Sequence, residues 1–337
     1  MNKILSLVIP TYNMEKYLRK CLNSLIVGDE QMQLLEVLVI NDGSKDSSSH
    51  IAHEYESRFP NTFKVIDKEN GNYGSCINRG LKEARGKYIK VLDADDSFDT
   101  EVLNRFVKYL SSTDDDLIIS DYDKVNEEGA VSEHHQYNLK SGTTLAFEDY
   151  CSTITIKEIQ MHGVTYKTEN LRSIAYTQTE GISYTDQEWI FIPMTTIRTF
   201  SYFNSVLYLY LIGREGQTMN ADVLVKSMKQ FQTMVLSSVK RYDDYIHKNS
   251  KVNDYLVFKL NDNIRFIYNR ALLRRNLPLE ELETFDATLK HTSSMVYDLS
   301  DDIRVHKLFP YKFVKYYRKH KRYLPFYVNW VYKCLRG

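Results

Sequence analysis

The sequence predicts an α/β protein in which helices cover both faces of a mostly parallel β-sheet, followed by a smaller α-helical domain. Short aliphatic runs alternate with amphipathic helical patterns through the first hundred residues, and from about residue 222 onward the patterns are helical. A chain of 337 residues is also near the upper limit for a single hydrophobic core. We therefore predict an α/β domain over residues 1–220 and a helical domain over residues 221–337.

The first strand is predicted where a nearly continuous aliphatic run stops at Pro10, as in a strand buried on both faces. Apolar residues at helical spacing follow from Tyr17 to Leu25. Strands that alternate with helices in this way form parallel sheets through right-handed crossovers. In order, the predicted elements are a strand over 4–9, a helix, a strand over 34–40, a helix over about 47–58 and a strand over 62–66.

Three polar clusters follow predicted strands, at residues 11–13, 41–44 and 93–96. Ligands of open parallel sheets bind beyond the carboxyl ends of the strands, so these clusters should meet at one edge and form a site. Two other classes of nucleotide-binding protein, kinase-like and dinucleotide-binding proteins, lack support in the sequence. The chain has no G-x-x-x-x-G-K-[ST] loop, and its glycines at positions 71, 74 and 80 do not fit G-x-G-x-x-G.

The third cluster is acidic, because the strand over residues 88–92 delivers Asp93, Asp95 and Asp96 at its end. Carboxylates this close repel one another and need either open solvent or a cation between them. A surface turn is one interpretation, but the apolar strand before it favours a buried position. Oxygen ligands of this kind suit Mg²⁺ or Mn²⁺ bridging to a substrate diphosphate.

Several segments in the first hundred residues match the motifs of one known family in their order along the chain. They are residues 6–13, 39–44, 78–81, 84–89 and 93–96. On these segments the chain resembles the glycosyltransferases of family 2, which have the GT-A fold. The resemblance implies a Rossmann-like nucleotide-sugar-binding and catalytic domain over residues 1–220.

The resemblance also implies which residues hold the donor. Thr11, Tyr12 and Asp42 would bind the nucleotide base, with the Asp42 carboxylate accepting the imide N–H of uracil. Asp93 would reach the ribose and the metal, and Asp95 would ligate Mn²⁺ or Mg²⁺. The full set of implied donor residues is Pro10, Thr11, Tyr12, Asn13, Glu15, Asp42, Lys68, Gly74, Ser75, Asn78, Arg79, Asp93 and Ala94.

One departure from the family pattern concerns an arginine near the donor. Many members have Ala-Arg-Asn where this chain has Cys76, Ile77 and Asn78. Lys68 or Arg79 could replace the missing cation, and the sequence leaves both open. A similar branch of the family has a Gly-Ser-x-x-Asn-x-Gly run like residues 74–80, which favours a true variation.

The acceptor side centres on Asp186. Thr185 and Glu188 fit a capping box, which predicts a helix that begins here and runs towards Pro193 or beyond. By spacing alone, Asp186 is explained by the positive end of the helix dipole. The resemblance implies instead that Asp186 is the general base that deprotonates the acceptor hydroxyl. Thr185 replaces the first acid of the usual pair, and Glu188 is the alternative base.

Arg214 lies in an element that resembles Tyr-x-x-x-Arg-x-x-x-Ser of non-processive family members, with Tyr210 and Thr218 in the matching places. The resemblance implies a cation that closes over the diphosphate, and an ordinary surface arginine is the alternative. The Q-x-x-R-W signature of processive synthases is absent from the sequence.

His162 could contact the acceptor or a metal, but a structural role is the simpler interpretation. His134 and His135 are predicted to lie in a loop.

The C-terminal tail, residues 306–337, contains nine Lys or Arg and ten aromatic residues but no Asp or Glu. Aromatic and basic residues in this mixture fit a segment lying on an anionic membrane, plain helical packing, or single-stranded nucleic acid. We favour the membrane, with nucleic acid last. With no signal-peptide cleavage site and no spanning apolar run, we expect a cytoplasmic protein peripheral to the inner face of the plasma membrane.

Together these observations predict an inverting, metal-dependent glycosyltransferase. It would move a sugar from a nucleotide sugar to a hydroxyl of a glycan or lipid-linked glycan. The favoured donor is a UDP-sugar. The resemblance places it in bacterial surface polysaccharide or glycoconjugate synthesis. The alternative is a catalytically inactive, glycosyltransferase-like binding or scaffold subunit, supported by the missing arginine and by Thr185.

Overall fold

A computed structural model of the chain describes residues 2–214, 227–245 and 250–335. The chain divides into two compact units, Met1–Gln217 and Thr218–Gly337. The first unit contains the sheet and the second is helical in its described parts. None of the helices in the described ranges combines the length and apolar character needed to cross a lipid bilayer.

The first unit contains ten strands and nine α-helices among the described residues. The strands are β1 (Leu5–Thr11), β2 (Leu35–Asn41), β3 (Phe63–Asp67), β4 (Tyr88–Val91), β5 (Ser97–Phe98), β6 (Leu117–Val125), β7 (Val131–His135), β8 (Leu145–Ala146), β9 (Val164–Lys167) and β10 (Thr199–Leu211). The helices are α1 (Glu15–Asn23), α2 (Asp29–Leu34), α3 (Ser48–Arg58), α4 (Asn72–Glu83), α5 (Thr100–Ser112), α6 (Phe147–Tyr150), α7 (Ile154–Lys157), α8 (Thr168–Ser173) and α9 (Asp186–Trp189). Two 3₁₀ turns, Met161–Gly163 and Ile192–Thr196, complete the set.

All ten strands form one sheet, whose main path runs β3-β2-β1-β4-β9-β6-β10-β5. The half from β3 to β4 is parallel, which confirms the predicted fold class. The other half is mixed, because β9 is antiparallel to both neighbours while β10 is parallel to β6. Antiparallel neighbours need no crossover helix between them. In the chain, β9 follows helices α6 and α7 and the 3₁₀ turn at Met161–Gly163.

The parallel half is held by apolar burial on both faces. Every residue of β2 is buried, and six of the seven residues of β1 are buried. Helix α1 turns Leu18, Cys21 and Leu22 into the same core at helical spacing. Buried strands of this kind fix their register strongly, and that register determines which loops meet at the carboxyl edge.

Two local predictions were wrong. The helix predicted at Thr185 is a single turn, α9, and the Thr185 side chain does not cap it but donates to Gln178 Oε1 at 3.0 Å. Glu188 cannot complete a capping box, because its carboxylate accepts hydrogen bonds from Thr179. His134 and His135 are not loop residues: they belong to β7, which pairs with β6.

The second unit contains six α-helices among its described residues. They are α10 (Met228–Tyr245), α11 (Ser250–Leu272), α12 (Leu279–Thr292), α13 (Ser294–Leu299), α14 (Phe313–His320) and α15 (Phe326–Cys334), with a 3₁₀ turn at Ser300–Asp302. Buried apolar side chains from α11, α12 and α14, such as Ile264, Leu282 and Phe313, form its core. The predicted stretch from Leu224 begins outside the described residues.

A buried arginine holds α14 in this unit. The Arg318 guanidinium donates to Asp286 Oδ1 at 2.8 Å, to Asp301 Oδ1 at 2.9 Å and to Ser300 Oγ at 2.9 Å. Its side chain is only 6% exposed and lies 3.5 Å from the centroid of the Tyr297 ring. Part of the predicted basic tail is therefore packed into the domain rather than exposed.

Candidate active site

The loops that follow β1 and β2 meet at the carboxyl edge of the sheet. The Asp42 backbone N–H donates to the Thr11 carbonyl at 2.8 Å. Asn13 adopts a positive φ of 53°, its N–H donates to Ser44 Oγ at 3.0 Å, and its Oδ1 accepts from the Lys45 N–H at 2.8 Å. The structure thus joins two of the three predicted polar clusters into one surface.

Three implied donor residues are engaged within the protein near this surface. Glu15 accepts the Ser47 N–H at 2.9 Å and thereby fixes the start of α3. Pro10 lies within β1 opposite Ile40, and Ala94 is buried at 2% exposure. These residues shape the loops by backbone and side-chain packing within the protein.

A buried charged group lies at the ends of β2 and β3. The Lys68 ammonium donates to Asp42 Oδ1 at 2.5 Å and to Ser75 Oγ at 2.8 Å. The Gly71 N–H reaches the same Asp42 oxygen at 2.9 Å. Asp42 is only 2% exposed, so these donors supply the hydrogen bonds that its buried carboxylate needs.

An open cleft of about 510 Å³ adjoins this group. Tyr12 lines the cleft with a side chain that is 46% exposed. The residues lining it are Tyr12, Asn41, Gly43, Lys45, Asp67, Lys68, Glu69 and Asn70.

Helix α4 carries three further implied donor residues, and each contacts protein rather than the cleft. Arg79 forms an ion pair with Glu83 at 3.0 Å, so of the two cations left open by the sequence only Lys68 lines the cleft. Asn78 donates to the Gln178 carbonyl at 3.0 Å and accepts the Gln178 N–H at 2.7 Å. A Cβ at Gly74 would lie 2.1 Å from the Thr179 carbonyl oxygen. Helix α4 therefore packs tightly on residues 178–180.

The acidic cluster after β4 comes together with a histidine. Ligand atoms of Asp93, Asp96 and His162 all lie within 4.8 Å of one another. Tyr208 O–H donates to Asp96 Oδ2 at 2.5 Å, and the Leu211 N–H donates to Asp96 Oδ1 at 2.7 Å. Tyr73 O–H donates to Asp93 Oδ1 at 2.7 Å.

His162 is suited to metal binding by its protonation state. Its ring stacks on Tyr210 with centroids 4.5 Å apart, and Nδ1 is buried with no hydrogen-bond partner among the described residues. Burial, helped by the nearby Lys90 charge, lowers the pKa of His162 to about 3. The imidazole is therefore neutral near pH 7, which is the form that ligates metal ions.

Two carboxylates and a neutral imidazole form a donor set that fits Mn²⁺ well and Mg²⁺ less well. The sequence named Asp96 without a role and favoured a structural role for His162, since only the fold brings the start of β9 to the end of β4. Tyr73 and Tyr208 were missed entirely, and no sequence signal could have found them.

Asp95 lies beside this cluster and holds Arg214. The Arg214 Nε–H donates to Asp95 Oδ2, and the two side chains are 13% and 11% exposed. The guanidinium also lies 5.5 Å from the centroid of the Tyr17 ring. The structure thus brings the two predicted groups together, while Thr218 of the same predicted element lies outside the described residues.

Asp186 belongs to the same centre. Burial raises the pKa of Asp93 to about 7, and the charges of Asp95 and Asp186 contribute to the rise. Gln187 Nε2 donates to Asp186 Oδ2 at 3.2 Å. Glu188, the alternative base, is 1% exposed and accepts the Thr179 N–H at 2.7 Å and its O–H at 2.6 Å. Glu188 therefore supports residue 179 and is shielded from solvent.

The buried carboxylates predict how metal-free stability depends on pH. The folded state holds a proton on Asp93 up to about pH 7, whereas the unfolded chain releases it near pH 3.9. Stability is thus fully present below the unfolded pKa and falls as the pH rises through about 7. Burial raises the pKa of Asp96 in the same direction.

Thermal unfolding in chelator should therefore show a lower midpoint at pH 8 than at pH 5.5. Added Mn²⁺ should raise the midpoint more at pH 8, because the ion compensates the ionised carboxylates. In chelator, Asp93→Asn should make the unfolding midpoint depend less on pH. Asp114→Asn, which changes a carboxylate that is 76% exposed, should leave the pH dependence of the midpoint unchanged. An equal slope in Asp93→Asn and wild type would contradict this account.

Comparisons with known proteins bear on this site. Residues 6–165 match the family described as Glycosyl transferase family 2. The chain is 38% identical over 123 residues to the uncharacterized glycosyltransferase MG060 of Mycoplasma genitalium, covering 36% of this chain and 41% of that one. It is 33% identical over 143 residues to the minor teichoic acid biosynthesis protein GgaB of Bacillus subtilis, covering 42% and 16%. The matched segment thus spans less than half the length of either curated relative.

Solved structures show the same fold. Residues 1–349 of S. aureus TarS in complex with UDP-GlcNAc superpose with a TM-score of 0.55 at 20% identity, covering 96% of this chain and 93% of that one. The structure of the same TarS segment titled without a ligand gives a TM-score of 0.62 at 17% identity.

Proposed function

Because residues 6–165 match glycosyltransferase family 2, we propose that this chain is an inverting, metal-dependent glycosyltransferase. It transfers a sugar from a nucleotide sugar to a hydroxyl group of a glycan or lipid-linked glycan. The observation that carries the proposal is the convergence of Asp93, Asp95, Asp96, His162 and Arg214 at one edge of the sheet, with the Asp186 charge close by.

The donor we propose is a UDP-sugar. The cleft beside Tyr12 and the Asp42–Lys68 pair has the size and polarity for a nucleoside. TarS, which has the same fold, was crystallised with UDP-GlcNAc and with UDP. The sugar and diphosphate would extend from this cleft towards Asp93.

The divalent ion would be held by Asp93, Asp96 and His162, with Asp95 at its side, and would supply positive charge for the diphosphate. Arg214 would add a second cation at the same point. The part-buried guanidinium donates to Asp95, and it would turn from that carboxylate towards a phosphate oxygen. Tyr73 and Tyr208 hold the two carboxylates in position.

Asp186 is the proposed general base. It removes the proton from the acceptor hydroxyl as that oxygen forms a bond to the anomeric carbon. The bond from the anomeric carbon to the diphosphate breaks on the opposite side, and its electron pair leaves with the diphosphate. Attack opposite the leaving group inverts the anomeric configuration.

We place the reaction in the synthesis of a bacterial surface polysaccharide or glycoconjugate, at the inner face of the plasma membrane. One relative is named for the biosynthesis of minor teichoic acid. The basic and aromatic tail, residues 306–337, is the proposed membrane contact.

The test is calorimetric titration of UDP-, GDP- and CDP-sugars, with Mn²⁺ and with chelator. We expect one donor to bind in a metal-dependent way, and Asp93→Ala to abolish that binding. Asp114→Ala removes an exposed carboxylate elsewhere and should bind as wild type does. Failure of every donor under both conditions would overturn the donor site and favour an inactive, scaffold-like subunit.

A further inference from the structure

The last helix, α15, has one buried and one exposed face. Val328 and Tyr332 point into the unit, whereas Phe326 and Trp330 are 85% and 65% exposed. Because these two residues are four apart, they lie on the same side of the helix. Exposed aromatic side chains grouped in this way mark an interaction surface.

A cleft of about 480 Å³ lies beside this aromatic face. Three cations line it: Arg274 and Arg275 from the turn after α11, and Lys333 from α15. No carboxylate is among the residues that line the cleft. The Arg275 guanidinium lies 4.8 Å from the centroid of the Tyr323 ring.

These three cations differ from three paired cations in the same unit. Arg318 and Lys321 bind Asp286, and Lys312 binds Asp302. In the part of the chain that the structure describes, no ion pair involves Arg274, Arg275 or Lys333. All three are exposed to solvent.

We propose that α15 lies in the headgroup layer of a membrane that contains anionic phospholipid. Phe326 and Trp330 enter the layer at headgroup depth, and the cleft lined by Arg274, Arg275 and Lys333 binds the lipid phosphate. The proposal assigns residues to the membrane contact put forward under the proposed function, and it does not depend on glycosyl transfer.

The physical argument combines two forces on one surface. An amphipathic helix with aromatic residues on one face and cations beside it binds the membrane interface without crossing it. Cations near the surface are attracted to anionic headgroups, and the effect falls off within about 8–10 Å at physiological salt. Single-stranded nucleic acid would instead need cations along an extended groove, whereas here they converge on one cleft.

Trp330 is a natural reporter of this contact. The chain has two tryptophans, and the other, Trp189, is only 1% exposed. On vesicles of phosphatidylcholine with about one-quarter phosphatidylglycerol, we expect the tryptophan fluorescence emission of the full chain to shift to shorter wavelength. Phospholipid brominated near the headgroup end of its chains should quench that emission, and pure phosphatidylcholine vesicles should bind at least about tenfold more weakly.

Two variants divide the surface into its parts. Phe326→Ser should lower vesicle partitioning about tenfold, while Trp330 remains as the reporter. Arg274→Gln with Arg275→Gln should remove most of the preference for phosphatidylglycerol. The matched control, Lys229→Gln with Lys240→Gln, neutralises two exposed cations on α10 and should keep the preference.

Several results would overturn the proposal. Equal binding to both kinds of vesicle would do so, as would equal losses in the cleft and control variants. Phe326-dependent binding of a single-stranded oligonucleotide without vesicle binding would assign the surface to nucleic acid. Titration of the nucleotide-sugar donor into the same variants should match wild type, so a failed donor site and a failed lipid site are separately visible.

Discussion

Asp186→Asn should reduce sugar transfer about 10²- to 10⁴-fold, the range that positioned proton transfer contributes. The amide has nearly the same shape as the carboxylate but cannot accept the acceptor's proton. Donor binding should persist, because the donor contacts proposed here come from the ends of β1, β2 and β4. The measurement is the rate of sugar transfer at saturating donor, paired with calorimetric donor binding.

The matched control for this change is Glu188→Gln. Its carboxylate holds the Thr179 backbone and hydroxyl, so the variant should lose stability while transfer per folded molecule falls less than in Asp186→Asn. Loss of the Asp186 charge also lowers the pKa of Asp93, so Mn²⁺ binding should be retained or strengthened. Full activity in Asp186→Asn, or the larger loss in Glu188→Gln, would remove Asp186 from the role of base.

Arg318→Met is the substitution expected to affect stability most. It leaves Asp286, only 2% exposed, without its closest cationic partner in a buried network. Removing one member of a buried ion pair typically costs about 3–5 kcal/mol. Urea denaturation followed by circular dichroism should show the helical C-terminal unit unfolding at lower denaturant.

Lys312→Met provides the comparison. It removes one cation near the start of α14, but its ion pair with Asp302 is exposed, with side chains 41% and 72% accessible. Exposed pairs contribute about 0–1 kcal/mol, so this variant should unfold close to wild type. Similar midpoints for the two variants would mean that the Arg318 network adds little to the packing of α14.

Much of the first unit was predictable because its signals are local. The aliphatic runs that became β1 and β2 end in polar loops, and buried parallel strands bring such loops to one edge whatever the rest of the chain does. The ends of β4 and β10 bring Asp95 and Arg214 together, although 119 residues separate them.

The remaining features depend on contacts that spacing does not encode. The capping box predicted at Thr185 does not form, because the Glu188 carboxylate accepts the backbone N–H of Thr179 instead. His162 joins Asp93 only because β9 enters antiparallel beside β4. Asn78 and Gly74 match a donor motif, yet they pack against residues 178–180, a role that only the tertiary fold reveals.

That packing links the two halves of the reaction mechanically. Helix α4 grips the Gln178 backbone through Asn78, and the next residue, Thr179, is held by Glu188 within the turn that begins with Asp186. A shift of α4 to accommodate a larger donor would therefore displace the residue proposed to activate the acceptor. Substitutions in α4 that change donor specificity should therefore also lower the turnover rate. Compensating substitutions should be sought in residues 178–188.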